Sequence, residues 1–484
     1  MKNIPIKPLI IVVLCIGAGI AQAHAVSTGK TYGVPSLAQA IQPEATSYPI
    51  ERHVYADTPV VAVTETLSAV SSTTNAAPVK PVSLDPVVAT PTVTSVVTPD
   101  PQSVTPTVKQ KQTTPAKAIS VAPQIPNLVT TSYTVANGKI FAPNGQKIVL
   151  HGVNWFGFET GSHTVHGLWS RNWKEMVSQI KASGFNAVRL PICPATLNGA
   201  SVPQGQINYA LNPDLVDKKG QEVMDTIVTG LNNQGIYAVI DIHKPDCDGN
   251  ISNLWYTSAY STNSWIADLQ NLAHRYQSLP YFLGLDLKNE PHGVATWGTG
   301  NLATDWNIAA ESAGSAVLKT NPNLLIFVEG IQENPICSSQ PAHFEGENFE
   351  PEACAPLNLP ANKAVYSPHV YGPDVSGQSY FNDPQFPANM SAIWEKQFGF
   401  LVKKGFAVVP GEWGGKYGTG GGSSQDVALQ DALTAYYVSN GICSSFYWSW
   451  NPNSGDTGGI LEDDWQTVWP TKLLLLQNYW KACR

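Results

Sequence analysis

The sequence predicts an α/β fold, a (β/α)8 TIM barrel in which eight parallel strands alternate with helices. Strand-like apolar runs alternate with amphipathic, helix-like stretches from about residue 133 to the end of the chain. About eight such strand–helix units fit into this part, and eight is the number that closes a barrel. A doubly wound sheet is the rival fold, but no glycine-rich phosphate-binding fingerprint follows the first strand.

An N-terminal β-hairpin is predicted to precede the barrel. Two Asn-Gly pairs, at 137–138 and 144–145, lie between short strand-like runs and are typical of tight hairpin turns. The barrel strands that follow are rich in Val, Ile, Leu and aromatic residues. They are predicted at residues 148–158, 186–192, 237–243, 282–290, 324–330, 364–372, 407–414 and 444–452.

Amphipathic helices are predicted between most of these strands. Several of them end in Gly or Asn, which are the residues favoured at helix C-termini. Clear examples cover residues 173–184, 223–235, 308–321, 390–405 and 426–441. After the fifth strand, the polar, Pro-rich stretch 331–362 takes the place of a clear helix, so a long loop is expected there.

The start of the chain has the features of a secretory signal peptide at residues 1–23. Lys2 and Lys7 precede an apolar run at residues 9–20, and small residues provide a cleavage site after Ala23 or Ala25. The apolar run is short for a membrane span, which favours a cleaved signal over an uncleaved anchor and argues against stable membrane insertion. We therefore expect a secreted, extracellular protein, with or without passage through a periplasm.

Two segments separate the signal from the barrel. Residues 24–70 are weakly patterned, and we expect them to be disordered, with a role that the sequence does not define. Residues 71–126 contain ten Pro and ten Thr but neither Gly nor an aromatic residue, which is typical of an extended linker that buries no core. The barrel domain is accordingly placed at residues 127–484.

Composition narrows the classes of ligand. The formal net charge of −8 gives no electrostatic reason to expect nucleic acid or anionic lipid as a partner. Charged residues make up only 13% of the chain, whereas there are 14 Trp. Low charge with abundant Trp is typical of proteins that bind neutral, flat-faced ligands such as sugars, although Trp also fills protein cores.

Six cysteines remain when Cys15 is removed with the signal. An even number in an exported chain favours disulfides over metal ligation, and none of the six has CxxC-type spacing. No metal or cofactor is therefore predicted. Six cysteines allow fifteen pairings, among which the count alone does not choose. The six are Cys193, Cys247, Cys337, Cys354, Cys443 and Cys483.

Polar side chains recur where the predicted strands end, which is where barrel enzymes place their reactive residues. Because burying such groups singly is unfavourable, their repeated occurrence at one end favours a functional site. In strand order they are Arg189, Asp241 with His243, Asn289 with Glu290, His369 with Tyr371, Glu412, and Trp448 with Trp450. Asp241 lies two residues deeper than His243 and is expected to be its partner inside the barrel.

Two of these residues, Glu290 and Glu412, leave the fourth and seventh strands and should approach the barrel axis from opposite sides. A facing pair of carboxyl groups is the minimum requirement for cleaving a glycosidic bond. One protonates the leaving oxygen, and the other meets the positive charge that develops at the anomeric carbon. A separation of roughly 5 Å would make the second group a nucleophile, and a wider one would admit water directly.

The stretches "LDLKNEPHG" and "VVPGEWGG", together with "VRLPI", "DIH", "SPHVYG" and "FYWSWNPNSGDTGGIL", resemble glycoside hydrolase family 5 of clan A. Within that family they are most similar to the bacterial endo-β-1,4-glucanases (cellulases). The resemblance covers about residues 133–484. An Asn-Glu pair at the fourth strand, a Glu at the seventh and the "YWSWNP" block, in this order, are strongly specific.

The resemblance implies a role for each catalytic residue. Glu290 is expected to be the general acid/base and Glu412 the nucleophile of a retaining double displacement. Asn289 is expected to bond the 2-hydroxyl of the sugar at the cleavage subsite. Arg189 and Tyr371 match the pair that holds the nucleophile, which would keep it ionised and aimed.

The resemblance also implies substrate-binding residues. His243 and His369 match positions that line the cleavage subsite, and Trp448 matches the sugar platform there. Trp169 matches a platform one sugar further out. Glu159 and Asp246 also lie near the predicted mouth and could contact substrate, but ordinary loop or hydrogen-bonding roles are expected for them.

The strand positions suggest how the cysteines pair. Two follow neighbouring strands, two bracket the long loop after the fifth strand, and two should meet at the barrel bottom. The pairs expected are Cys193 with Cys247, Cys337 with Cys354, and Cys443 with Cys483.

The function expected is that of a secreted, metal-independent, monomeric endo-β-1,4-glucanase that cleaves internal bonds of cellulose and related β-glucans. Two alternatives stay open. One is a relative that acts on mannan, xyloglucan or mixed-linkage glucan, which differs in loop contacts beyond the cleavage subsite. The other is a non-catalytic barrel that only binds glucan, which would usually have lost one of the two carboxylates.

Overall fold

A small antiparallel sheet opens the described part of the chain. The computed structural model describes residues 132–339 and 343–483, so the predicted signal peptide, the 24–70 segment and the linker lie outside the described residues. The sheet consists of β1 (Thr134–Ala136), β2 (Lys139–Phe141) and β3 (Lys147–Ile148), in that order. The turn between β1 and β2 has positive φ at Asn137 and Gly138, as the Asn-Gly pair predicts.

Eight parallel strands form the main sheet. Its order is β11-β9-β8-β7-β6-β5-β4-β13, with a separate parallel pair of β10 and β12. Two closing hydrogen bonds run from the Phe446 and Trp448 amides to the Pro410 and Trp413 carbonyls, at 2.8 and 2.9 Å. The predicted (β/α)8 barrel is confirmed. The strands are β4 (His151–Asn154), β5 (Ala187–Ile192), β6 (Tyr237–Ile242), β7 (Phe282–Asp286), β8 (Leu325–Val328), β9 (Ala364–Tyr366), β10 (His369–Tyr371), β11 (Ala407–Val408), β12 (Glu412–Gly414) and β13 (Ser445–Tyr447).

The sixth and seventh predicted strands are each interrupted. Pro368 separates β9 from β10, and Pro410 lies between β11 and β12, because proline offers no N–H to a strand ladder. Beyond the interruptions the sixth and seventh strand segments pair again as β10 and β12, with His369 opposite Glu412. The interruption therefore places two of the predicted site residues directly beside each other.

The fourth strand is shorter than its predicted range of 282–290. β7 ends at Asp286, and Glu290 lies four residues further on, with a φ of 49°. The Leu287 and Asn289 amides still donate to the Phe327 and Ile242 carbonyls, at 3.2 and 3.1 Å. The chain thus stays between its neighbours but leaves regular strand geometry before it reaches the glutamate.

Helices cover the outside of the barrel. α1 shows the pattern that causes this, because Trp173, Met176, Val177 and Ile180 form one buried stripe and Asn172 caps its N-terminus. Between β8 and β9 the only helical element among the described residues is a 3₁₀ turn, Glu350–Ala353, in agreement with the predicted loop. The helices are α1 (Trp173–Ala182), α2 (Pro194–Leu197), α3 (Gly220–Asn233), α4 (Thr262–Arg275), α5 (Trp306–Thr320), α6 (Met390–Trp394), α7 (Phe400–Lys403), α8 (Ser424–Ser439) and α9 (Pro470–Ala482), with a π turn, Glu395–Gly399, between α6 and α7.

The three-stranded sheet closes the bottom of the barrel. Val135, Ile140 and Ile148 from the small sheet join a buried apolar cluster with inward-facing strand residues such as Leu283 and Phe446. Apolar side chains therefore fill the lower barrel, and polar ones are left for the opposite end. A larger apolar cluster lies between the strands and the helices.

Three disulfides occur among the described residues, and they are the pairs expected from the strand positions. The Cα atoms of the paired residues are 5.3, 6.3 and 5.5 Å apart, within the usual range for disulfides. They join Cys193 to Cys247, Cys337 to Cys354, and Cys443 to Cys483. No helix in the described part of the chain is long and apolar enough to cross a membrane.

Candidate active site

Arg189, near the middle of β5, is the centre of a buried network at the mouth of the barrel. Its Nη1 donates to Glu412 Oε1 at 2.5 Å and to Asn154 Oδ1 at 3.1 Å. Its Nε donates to Asp286 Oδ2 at 3.0 Å, and its Nη2 lies 3.1 Å from Asp241 Oδ2. Although burial opposes its charge, the surrounding carboxylates raise the pKa of Arg189 well above its usual value. The guanidinium is therefore a fixed cation that holds several carboxylates.

Glu412 receives two hydrogen bonds, one on each carboxylate oxygen. Arg189 donates a hydrogen bond to Oε1, and the Tyr371 hydroxyl donates one to Oε2 at 2.7 Å. Burial and the nearby Glu412 and Glu290 carboxylates raise the pKa of Tyr371 well above its usual value, so the tyrosine stays a donor. Both donors together fix the direction of the Glu412 carboxyl group.

Glu290 faces a different environment. Its Oε1 lies 3.0 Å from His369 Nδ1, and its side chain is buried. Burial raises the pKa of Glu290 to about 8, the His369 bond opposes this, and the charge of Glu412 adds to it. A raised pKa is what a group needs if it is to hold a proton for a leaving oxygen.

The two carboxyl groups are close together. One oxygen of Glu290, one oxygen of Glu412 and a ring nitrogen of His369 all lie within 4.8 Å of one another. A carboxyl separation of about 5 Å is typical of retaining glycosidases, whereas inverting enzymes leave a wider gap for water. The pair therefore has the spacing for direct nucleophilic attack.

Asn289 and His243 offer polar atoms beside this pair. Asn289 Oδ1 accepts a hydrogen bond from Arg189 Nη2 at 3.0 Å, and its Nδ2 is buried without a partner among the described residues. His243 Nδ1 lies 2.6 Å from Asp241 Oδ2, which confirms the predicted partnership and leaves Nε2 for a ligand. Burial lowers the pKa of His243 well below its usual value, so the ring is neutral.

An aromatic row leads away from the carboxyl pair. Trp448 lies parallel to Phe156, with ring centroids 5.3 Å apart, and its peptide bond to Ser449 is cis. The ring centroids of Phe156 and His166 are 5.2 Å apart, and those of His166 and Trp169 are 5.3 Å apart. The structure thus joins the two predicted platforms, Trp448 and Trp169, by one continuous series of rings. Both indoles are partly exposed, as a sugar platform requires.

Two members of that row, Phe156 and His166, are not among the residues predicted from the sequence. Both lie on the loop after β4, whose path no sequence pattern fixes. Glu159 on the same loop is buried and accepts the Gly157 amide at 2.6 Å, whereas Asp246 is exposed. Burial raises the pKa of Glu159 to about 7. Asp246 Oδ1 accepts a hydrogen bond from the Asp248 amide at 3.1 Å, so both carboxyl groups bond within their own loops.

Two buried carboxyl groups, Asp286 and Glu329, are also missing from the sequence prediction. Asp286 is the last residue of β7, and Glu329 directly follows β8. Glu329 stands at the end of the fifth strand, so the rule that found the other polar residues could have found it as well. Both groups contact Arg189.

Three groups of side chains in the described part of the chain bring together atoms of types that bind metals. In the first, His163 lies near Cys193 and Cys247, whose sulfurs form a disulfide and so provide no thiolate. The other two groups are members of the network around Arg189 and His369, and their oxygens accept hydrogen bonds from protein donors. The chemistry of the carboxyl pair itself needs no metal.

Comparison with known proteins gives a consistent result. The sequence model of the family described as "Cellulase (glycosyl hydrolase family 5)" matches residues 142–454. The "Major extracellular endoglucanase" of Xanthomonas campestris pv. campestris is 54% identical over 350 residues, which are 72% of this chain and 71% of that protein. An "Endoglucanase" of Paenibacillus polymyxa is 44% identical over 337 residues, which are 69% of this chain and 83% of that protein.

Solved structures show the same similarity. The catalytic domain of the Xanthomonas campestris endoglucanase superposes with a TM-score of 0.70 and 53% identity, over 72% of this chain and all of that one. A hyperthermophilic endocellulase of Pyrococcus horikoshii gives a TM-score of 0.70 and 44% identity, with the same coverage. The residues matched by the family model, 142–454, include all strands of the barrel and every residue of the network around Arg189.

Proposed function

Since the chain belongs to glycosyl hydrolase family 5, the cellulase family, we propose that it is an endo-β-1,4-glucanase that hydrolyses internal β-1,4-glucosidic bonds of cellulose and related β-glucans. The observation that carries this proposal is the pair Glu290 and Glu412, whose oxygens lie within 4.8 Å of each other at the barrel mouth. The relatives named above are endoglucanases by name.

The reaction is a double displacement. Glu412 attacks the anomeric carbon while Glu290 gives its proton to the leaving glycosidic oxygen, so the bond to the leaving sugar breaks as the bond to Glu412 forms. Glu290, now ionised, takes a proton from water. That water attacks the same carbon and releases Glu412, and the product keeps the β configuration.

The surroundings of Glu412 support its role as the nucleophile. Arg189 and Tyr371 each donate a short hydrogen bond to one of its oxygens, which fixes the direction of the carboxylate. A fixed carboxylate needs little reorganisation before attack, and this lowers the barrier. His369 contacts both carboxyl groups, since its Nδ1 lies 3.7 Å from Glu412 Oε2 and 3.0 Å from Glu290 Oε1.

The substrate is proposed to lie over Trp448 at the cleavage subsite. Nδ2 of Asn289, which has no partner among the described residues, would donate to the 2-hydroxyl, where a hydrogen bond gains strength in the transition state. The His243 ring stacks against Trp448, with ring centroids 5.7 Å apart, and its Nε2 would form a hydrogen bond with another hydroxyl. Trp169, at the far end of the aromatic row, would bind the next sugar.

We also propose that the protein acts outside the cell, as a monomer. The predicted signal peptide, the three disulfides and the similarity to a major extracellular endoglucanase support export. In this organisation the segment 71–126 links the region 24–70 to a barrel domain at 127–484. Gel filtration of the secreted protein, with N-terminal sequencing, checks the mass and the cleavage site.

A substrate panel tests the proposed function. Hydrolysis of β-1,4-glucan should exceed hydrolysis of mannan, xyloglucan and mixed-linkage glucan, and the viscosity of carboxymethyl cellulose should fall before many reducing ends appear. Proton NMR of the first product should show the β anomer. A preference for mannan would support the alternative specificity, and an α anomer would rule out double displacement.

A further inference from the structure

We propose that Glu329 is a positioning residue for the general acid/base, because it holds the main chain of Glu290 in the conformation that aims its side chain. The inference rests on the proposed function, since it assigns Glu290 its role. Glu329 directly follows β8 and is fully buried at the barrel mouth.

The contact that carries the inference is between a side chain and a main chain. Glu329 Oε2 accepts a hydrogen bond from the Glu290 amide at 2.7 Å, and its Oε1 accepts one from Arg189 Nη2 at 3.1 Å. His369 Nε2 lies 3.1 Å from the same Oε1, outside hydrogen-bond geometry. One carboxyl group thus contacts the acid/base, the arginine that holds the nucleophile, and His369, which contacts both catalytic glutamates.

Glu290 needs such support because its backbone is unusual. It has a φ of 49°, in the left-handed region that non-glycine residues seldom adopt, and Pro291 follows it. Its carbonyl oxygen lies 2.7 Å from His292 Nδ1. The main-chain N–H and C=O groups of Glu290 therefore both form hydrogen bonds with side chains, and neither bonds to the main chain of a neighbouring strand.

The surroundings of Glu329 leave it little freedom. The Trp306 indole donates to its carbonyl oxygen at 2.8 Å. A Cβ atom at Gly346 would lie 2.6 Å from Glu329 Oε2 and 3.4 Å from Glu290 Cγ, so the chain passes close to both glutamates. The carboxylate is thus confined between Gly346, Arg189 and the Glu290 amide.

An amide at this position would fit by size but not by hydrogen bonding. Both oxygens of Glu329 face donors, so Glu329→Gln must turn an NH₂ group toward one of them. The cationic guanidinium is the stronger donor and will keep the oxygen. The NH₂ group is then left against the Glu290 amide, which has to move.

Leaving-group dependence distinguishes a defect in the acid from general damage. Phenyl β-cellobioside needs a proton on its leaving oxygen, whereas 2,4-dinitrophenyl β-cellobioside does not. For Glu329→Gln we expect kcat/KM to fall about 100-fold with the phenyl substrate and less than about 3-fold with the dinitrophenyl substrate. Glu290→Ala provides the reference, with a larger loss of the same kind.

The matched control is Glu352→Gln. Glu352 is also a buried carboxylate with two protein donors, the Tyr366 hydroxyl and the Leu357 amide, but it belongs to the 3₁₀ turn Glu350–Ala353. It should lose stability without dependence on the leaving group. Glu329→Asp, which keeps the carboxyl group but is one methylene shorter, provides a second variant and should show the same selective loss.

Each result bears on one inference. Equal losses with both substrates, no loss with either, or failure of both Glu329 variants to fold would overturn the positioning role. The proposed function fails separately, if the wild-type protein hydrolyses neither cellobioside, or if Glu290→Ala shows no dependence on the leaving group.

Discussion

Arg189 Nη1 lies 2.5 Å from Glu412 Oε1, and both groups are buried. The guanidinium also contacts Asp241, Asp286 and Glu329, so one cation is shared by four carboxyl groups. A buried charge that loses its partner is strongly unfavourable, which makes the network rigid. This rigidity explains how Glu412 is kept aimed before the substrate arrives.

Removal of the nucleophile should abolish turnover and allow rescue. We expect Glu412→Ala to lower kcat on carboxymethyl cellulose by about 10⁴-fold or more, because no covalent intermediate can form. Azide can occupy the vacated space and attack an activated aryl cellobioside, giving the α-glycosyl azide, which NMR identifies. Glu395→Ala, which removes a carboxylate paired with Lys403 outside the site, is the control. Substantial activity of Glu412→Ala without azide would exclude the assigned role.

The pH dependence should report the proton on Glu290. Glu290 must be protonated to act as the acid, and its pKa is raised to about 8, so kcat/KM should fall as pH rises through about 8. Besides burial, His369, Glu412 and Glu329 affect this value. The fall should be clear with phenyl β-cellobioside and weak with the dinitrophenyl substrate, which needs no acid.

A second group, Lys288, titrates in the same range, because burial lowers its pKa to about 8. Glu290→Gln separates the two. If Glu290 causes the fall, this variant should show a flat profile above pH 7 with the dinitrophenyl substrate and little activity with the phenyl substrate. A fall near pH 8 that persists in Glu290→Gln would assign it to Lys288.

The aromatic row should contribute unequally along its length. We expect Trp448→Ala to lower kcat/KM for phenyl β-cellobioside about 100-fold, mainly through kcat, because the reacting sugar lies there. Trp169→Ala should cost about 10-fold, mainly through KM, since it binds a sugar that does not react. Leu474→Ala, at an exposed apolar position on α9, should change neither. An equal effect of Trp169→Ala and Leu474→Ala would remove Trp169 from the binding site.

The barrel was predicted from the alternation of eight apolar runs with amphipathic helices, and most of its mouth followed from one rule, that polar residues at the ends of parallel strands converge. That rule found Arg189, Glu290 and Glu412 because each interrupts or ends an apolar run. It did not supply the conformation of Glu290, which depends on a long-range contact with Glu329.

Other features of the site depend on geometry that the local sequence does not encode. Phe156 and His166 belong to the platform row only because the loop after β4 folds back toward Trp448. The distance between the catalytic oxygens likewise results from how the barrel closes. The strand interruptions at Pro368 and Pro410 could have been anticipated, since proline cannot donate to a ladder.

The disulfide Cys193–Cys247 should contribute to stability more than to activity. It closes the longest of the three loops, with a sequence separation of 54 compared with 17 and 40. In the chain-entropy account a longer closed loop constrains the unfolded state more, and a disulfide of this kind contributes about 2–4 kcal/mol. The double variant Cys193→Ser/Cys247→Ser should therefore unfold at a Tm several degrees lower, which calorimetry measures.

The matched comparison is Cys337→Ser/Cys354→Ser, which opens the shortest loop and should lower Tm less. Because Cys193 directly follows β5, the activity of the first variant also tests whether the mouth depends on the bond. Arg189 is held by the carboxylate network, so kcat at 25 °C should change less than about 3-fold. A large loss of kcat with unchanged Tm would show instead that the disulfide shapes the active site.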